Sequence, residues 1–223
     1  MTPRNVKAGK ENRKIQMSQA QEHWNRVYGT KAETEVSWFQ RRPEKSLKLI
    51  EAAAPDRSVP IIDVGGGASR LADELLHVGY ADVSVLDISE AALARSKARL
   101  GAQAASVSWM VADIAQWQPA RTWGVWHDRA VFHFLTDSAR QTAYIEALKK
   151  ATAPGSVCII STFALDGPER CSGLPVVRHD AASLGAMLGA SFKLVESRRH
   201  DHQTPAGAIQ RFQFSRFVRE TVK

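Results

Sequence analysis

From residue 60 onward, short apolar runs alternate with helical patterns. Residues 60–64, 83–87, 107–111, 124–128 and 157–163 each predict a strand, and the last reads as a central parallel one because it is apolar throughout. Between them, residues 69–77, 89–100, 138–151 and 181–188 carry apolar side chains three and four apart and predict helices. Leu71, Leu75 and Leu76 face inward on the first, which should stop near Gly79. Ser89 caps the second, with Glu90 in its first turn and Arg95, Lys97 and Arg99 near its end, as the helix dipole favours. Thr136 or Asp137 caps the third, with Ala143, Ile145, Leu148 and Ala151 as its contacts. The alternation predicts a doubly wound α/β fold: a mostly parallel seven-stranded sheet with helices on both faces. The last two runs, 192–198 and 208–218, have no helix between them. They predict a C-terminal antiparallel hairpin with a polar tip at 199–207.

The pattern before residue 60 is different. Ser18 is a cap for a helix over 18–30, with Trp24, Val27 and Tyr28 at helical spacing and Gly29 as its stop. Residues 36–40 hold an aromatic pair, Trp38 and Phe39. Pro43 opens a second helix with Leu47, Ile50 and Ala54 on one face, and Pro55 ends it. These pieces are expected to form an N-terminal helical lid over residues 18–58. Plain packing of Trp24, Trp38 and Phe39 on the sheet is the other reading.

Composition narrows the setting. The 223 residues suit one domain, and 44% apolar with 24% charged residues is ordinary for a globular protein. No apolar run approaches the roughly 20 residues of a membrane span, and the N-terminus has no apolar core of a secretory signal. A cytoplasmic protein with no membrane partner is expected. Cys158 and Cys171 form no C-x-x-C, so neither a zinc ribbon nor a disulfide framework is indicated. Residues 1–14 hold five basic side chains against Glu11, a net of +4, which leaves +3 of the overall +7 to the other 209 residues. The charge belongs to a basic tail, residues 1–17, expected to be disordered, and not to a face that would bind nucleic acid. Residues 18–223 are the single expected domain, and Met17 is a possible alternative start. Nothing in the pattern sets an oligomeric state.

The chemistry concentrates in Asp63-Val64-Gly65-Gly66-Gly67-Ala68-Ser69, a strand end, a glycine turn and a helix start, with Asp87 ending the next strand. Glycines let backbone approach a ligand, and an acid at this distance meets ribose hydroxyls. A dinucleotide fingerprint fails because Arg70 stands at its third glycine. A phosphate loop fails because no G-K-[ST] follows, and Asp63 would repel phosphate. Two carboxylates about a glycine turn suit a ligand with hydroxyls and an ammonium but no phosphate, which describes S-adenosyl-L-methionine.

On these residues the chain resembles the class I (Rossmann-like) S-adenosylmethionine-dependent methyltransferases, over roughly residues 20–218. Asp63-Val64-Gly65-Gly66-Gly67 is similar to the family's D-x-G-x-G, with Ser69 in place of its third glycine. Asp87 matches the ribose-binding acid, and Ala112-Asp113-Ile114 matches the step where an acid meets the adenine amino group. Asp128-Arg-Ala-Val-Phe-His133 is similar to the segment after the fourth strand, and the hairpin to the family's reversed last strand. His23-Trp24-Asn-Arg-Val-Tyr28 and Val36-Ser-Trp38-Phe39 resemble the start of a bacterial methyltransferase-domain group. The Asp128 segment is also loosely similar to one in eukaryotic elongation-factor lysine methyltransferases.

The resemblance implies a cofactor site of Asp63, Gly65, Gly66, Gly67, Ser69, Asp87, Ile88, Asp113 and Ile114, with Trp38 from the lid. Asp128 and His133 are expected to touch the acceptor or the methionine part as catalytic residues. In the long segment after the fifth strand, Glu169, Arg170 and Cys171 are candidate acceptor contacts. His200 and His202 lack a third ligand in sequence, so no metal is expected. The expected activity is methyl transfer to a small-molecule acceptor by in-line displacement. A protein (lysine) acceptor is the alternative, and a non-catalytic cofactor-binding or nucleic-acid-associated protein using its basic tail is a third reading.

Overall fold

The structure, a computed structural model, describes residues 19–221. The expected tail, the candidate cap Ser18 and the alternative start Met17 lie outside the described residues. Helix α1 runs through residues 19–30 and α2 spans Glu44–Ala53. Then follow β1 (Ile61–Val64), α3 (Leu71–His77), β2 (Val83–Asp87), α4 (Glu90–Leu100), β3 (Val107–Val111), β4 (Val125–Arg129), α5 (Ser138–Ala151) and β5 (Val157–Phe163). A two-stranded ribbon, β6 (Arg170–Cys171) and β7 (Leu174–Pro175), precedes α6 (Ala181–Leu188) and the long strands β8 (Phe192–Gln203) and β9 (Ile209–Arg219).

The main sheet has the order β3-β2-β1-β4-β5-β9-β8. Strands β1 to β5 are parallel, and β9 runs antiparallel to both β5 and β8. The chain order reverses between β1 and β4, and a crevice opens there outside the strand carboxyl ends. Strand alternation divides the core in two. Ile61, Val125 and Ile159 pack with Leu47, Ile50, Leu71 and Leu75 from α2 and α3 on one face. Ile62, Trp126 and Ile160 pack with Tyr144, Leu148, Leu184 and Leu188 from α5 and α6 on the other. Consecutive strand residues point to opposite faces, so this division also decides which polar residues can meet.

Three expectations need correction. Helix α1 passes through Gly29, because Lys31 N–H still donates to the Val27 carbonyl and Thr30 Oγ1 to that of Arg26. Helix α3 starts at Leu71, since Ser69 Oγ accepts from Leu71 N–H. The hairpin tip is shorter than residues 199–207: β8 continues to Gln203, with His202 opposite Gln210. The segment after β5 is a folded ribbon. Asp137 is the cap of α5, accepting from Arg140 N–H, and Tyr144 joins its buried face. No helix of the described residues is long and apolar enough to cross a membrane.

Candidate active site

The crevice is a cavity of about 390 Å³ at the carboxyl ends of β1, β2 and β4. Its floor is the glycine turn. Gly65 has φ +69°, and a Cβ there would stand 1.9 Å from Val131 Cγ2. A Cβ on Gly66 would stand 2.5 Å from Asp63 Oδ2, and one on Gly67 2.7 Å from Asp87 Oδ2. The turn is thus wrapped around two carboxylates, with no room for side chains. Arg99 holds its far end: it bonds both carboxylate oxygens of Asp73 at 2.8 Å and donates to the carbonyls of Ala68 and Ser69.

Asp63 and Asp87 both border the cavity and are both buried. Asp63 Oδ1 lies 2.7 Å from His127 Nδ1, and His127 Nε2 lies 2.8 Å from Ser46 Oγ on α2. Asp63 and His127 are cross-strand partners in the β1–β4 register, on the same face. Asp87 Oδ1 accepts from Ser89 N–H at 2.7 Å. Burial pushes the Asp87 carboxyl up to about 7, against the pull of the Ser89 amide and with a further push from the charge of Asp63. Asp113 borders the cavity beside Ile114, but Arg140 Nη2 already bonds both of its oxygens, at 3.0 and 3.1 Å.

The roof is aromatic. Trp24 packs edge-on against Trp38 and Phe134, with ring centroids 5.6 and 5.1 Å away. Trp38 Nε1 donates to the Tyr28 hydroxyl at 3.1 Å. Two polar contacts tie α1 down: Asn25 Oδ1 accepts from Ser89 Oγ at 2.8 Å, and His23 Nε2 lies 3.3 Å from Ser172 Oγ in the β6–β7 turn. The first reaches the helix that follows Asp87 and the second reaches the ribbon, so α1 spans the crevice.

Of the residues expected at a cofactor, Asp63, Gly65, Gly66, Ser69, Asp87, Ile88, Asp113, Ile114 and Trp38 border this one cavity. Gly67 stands behind them against Asp87. Asp128 and His133 are not brought there, which corrects the expectation that they touch the acceptor. Asp128 follows His127 on β4 and therefore points to the other face. Its carboxylate accepts from Val131 N–H, Phe132 N–H and the Tyr144 hydroxyl, at 2.8, 3.1 and 2.7 Å. His133 is fully buried between Phe134 and Phe163, and burial pushes its imidazole down to about 3. Of Glu169, Arg170 and Cys171, Cys171 alone borders the cavity, while Glu169 pairs with Arg178 at the surface. His202 Nε2 lies 2.8 Å from the Ser37 carbonyl, in the fold and not at a loop tip.

Sequence reasoning missed His127, Arg129, Gln210 and Phe212, all of which border the cavity. Alternation along β4 would have found the first two, since they share a face with Asp63 once β1 and β4 are neighbours. No local signal marks Gln210 and Phe212, which arrive from a strand far along the chain.

Residues 61–155 match a family described as Methyltransferase domain. A mouse (Mus musculus) eEF1A lysine and N-terminal methyltransferase is 28% identical over 123 residues, which is 54% of this chain; the chain spans only 17% of that relative's length. A Burkholderia thailandensis 1,6-didemethyltoxoflavin-N1-methyltransferase, solved with that compound and S-adenosylhomocysteine, has a TM-score of 0.67 at 17% identity, over 95% of this chain and 90% of that one. The N-methyltransferase NodS from Bradyrhizobium japonicum WM9, solved with S-adenosylhomocysteine, has a TM-score of 0.67 at 16% identity, over 88% and 98%. Residues 61–155 thus match a methyltransferase domain, and the reversed strand β9 belongs to a fold shared with solved S-adenosylmethionine-dependent methyltransferases.

Proposed function

We propose that this enzyme methylates a small molecule. The observation that carries the reading is the roof: α1 crosses the crevice and meets the β6–β7 ribbon through His23 and Ser172, so the cavity at the glycine turn is partly roofed. A partly roofed cavity of about 390 Å³ suits a cofactor with a small acceptor better than a folded protein surface.

The residues present fit the cofactor. The glycine turn admits a ligand against bare backbone, and Asp87 faces the cavity with lone pairs left for ribose hydroxyls. Asp63, held by His127, stands where the methionine ammonium would be compensated. Asp113, fixed by Arg140, is set for the adenine amino group, with Ile88, Ile114 and Trp38 as walls. When bound, S-adenosyl-L-methionine supplies a methyl group on a sulfonium sulfur, which leaves as a neutral thioether and needs no acid. The chain therefore has to align the acceptor and exclude water, and alignment alone can supply roughly 7–11 kcal/mol. His127 has both ring nitrogens engaged. Burial first, then the Asp87 charge, raises the Tyr28 hydroxyl pKa, so it stays protonated. We accordingly assign the general-base role to neither of these two groups and give positioning the main part in catalysis.

The test is transfer of labelled methyl from S-adenosylmethionine into fractionated cell extract. Label in the low-mass fraction supports the reading. Label confined to a protein band would replace it with the protein-lysine alternative, which the partial similarity to the mouse enzyme favours.

A further inference from the structure

Beyond the cofactor cradle, Arg129 borders the cavity and has no counter-ion among the described residues. Arg129 ends β4 on the face of Asp63 and His127, and its guanidinium lies over the Phe212 ring, 4.8 Å from the centroid. Nη1 donates to the Trp38 carbonyl at 3.2 Å. Nε and Nη2 are shut off from solvent and have no partner among the described residues. The carboxylate whose charge reaches it, Asp63, is already bonded to His127. Burial lowers the Arg129 pKa only to about 10, so the group keeps its charge at neutral pH. A buried guanidinium with unmet donors is costly unless an anion completes it.

A second unmet group lines the same cavity. Gln210 borders the same cavity, and its Nε2 donates to Ser37 Oγ at 3.3 Å, one residue from the carbonyl that Arg129 holds. Its Oε1 is buried and unpaired among the described residues. A serine hydroxyl can give or take a hydrogen bond, so whichever way the amide is turned, one end remains for a ligand. Phe212 and Gln210 lie on β9, past β4 and β5 and away from Asp87 and Asp113 at the β2–β3 side.

We propose that Arg129 is the anchor for a carboxylate on the methyl acceptor, with Gln210 bonding a polar group next to that carboxylate. This rests on the small-molecule reading and narrows it to organic acids. The planar fork of a guanidinium matches a carboxylate through two parallel hydrogen bonds, and Nε with Nη2 is such a pair.

A carboxylate could come from the acceptor or from the cofactor's own methionine end, and the experiment separates them. The full chain, saturated with S-adenosylhomocysteine, is titrated with acetate and, at matched ionic strength, with acetamide. Acetate should raise the melting temperature more than acetamide, and R129Q should lose the difference. In parallel, S-adenosylhomocysteine and its decarboxylated counterpart are titrated into wild type and R129Q. Both affinities should change less than threefold on substitution, while the KM for the acceptor fraction rises roughly tenfold to a hundredfold. R129K, which keeps the charge but not the fork, should recover part of the loss and guards against a folding defect in R129Q. Equal responses to acetate and acetamide in wild type overturn the proposal. So does a selective loss of S-adenosylhomocysteine affinity in R129Q that spares the decarboxylated compound, since the anchor would then hold the cofactor. Either result leaves the small-molecule reading standing, because that reading fails only when label goes to protein.

Discussion

His127 Nδ1 lies 2.7 Å from Asp63 Oδ1 across the β1–β4 pair, and the far side of the ring meets Ser46 on α2. A neutral imidazole that gives its Nδ1 proton to Asp63 has Nε2 left to accept from the serine hydroxyl. One histidine thus locks the acid ahead of the glycine turn to the first helix that packs on the sheet. H127F should weaken S-adenosylhomocysteine binding by about tenfold to a hundredfold, the worth of one hydrogen bond to a charged group. S46A should cost less, because the Asp63 contact survives. Calorimetric titration checks both, and an unchanged affinity for H127F would remove Asp63 from the cofactor site.

The glycine turn makes a steric prediction. G65A combines a positive φ with a Cβ 1.9 Å from Val131 Cγ2, and should destabilise the fold by about 1–3 kcal/mol from strain alone. Adding V131A removes the clash but not the backbone conformation, so the double variant should recover only part of the melting temperature. Full recovery would show that φ at residue 65 carries no strain.

Cofactor affinity should depend on pH through Asp87. Burial holds this carboxyl at about 7, whereas ribose hydroxyls need an acceptor, which is the ionised form. Binding therefore expels a proton below pH 7. Affinity should rise as pH climbs from 5.5 to 7, by at most about tenfold per unit, and level off above. Titrations in buffers of different ionisation enthalpy should count the released proton. A flat profile from pH 5.5 to 8, or an identical one for D87N, would contradict the assignment.

His133 should act on stability and not on turnover. Its imidazole is held neutral by burial, down to about 3, while in the unfolded chain it protonates near 6.5. The unfolded form thus takes up a proton that the fold refuses, and stability is lost as pH falls from about 6.5 toward 3. At pH 5 this amounts to about 2 kcal/mol, and H133Q should lose less stability than wild type between pH 7.5 and 5, read by chemical denaturation. An unchanged acid response would mean that the ring titrates freely in the fold.

Asp128 should be structural in the same sense. D128A strands Val131 N–H, Phe132 N–H and the Tyr144 hydroxyl, at a cost of about 2–4 kcal/mol. That lowers the melting temperature by roughly 4–16 °C. Turnover of the folded fraction should stay within a few-fold, and its complete loss would return Asp128 to the site.

Much of this protein was legible without coordinates. Strand runs and helix caps are local: Ser89 and Asp137 cap the helices they precede, and 83–87, 107–111 and 157–163 are strands at the positions their apolar runs define. The acid–glycine turn is equally local, because Asp63 and Gly65 are two residues apart, and Asp87 needs only the neighbouring strand β2 to reach it. What the sequence by itself could not decide was which of two adjacent polar residues faces the ligand. His127, Asp128 and Arg129 are consecutive, and the choice between them depends on β1 lying beside β4 and on the two-residue alternation across the sheet. The same holds for the cavity's far wall. Phe212 reaches Arg129, and Gln210 the same cavity, only because β9 turns back along β5, and His23 reaches Ser172 only because α1 lies across the crevice. Local chemistry set the cofactor; the long-range pairing of strands set the place where the acceptor would be held.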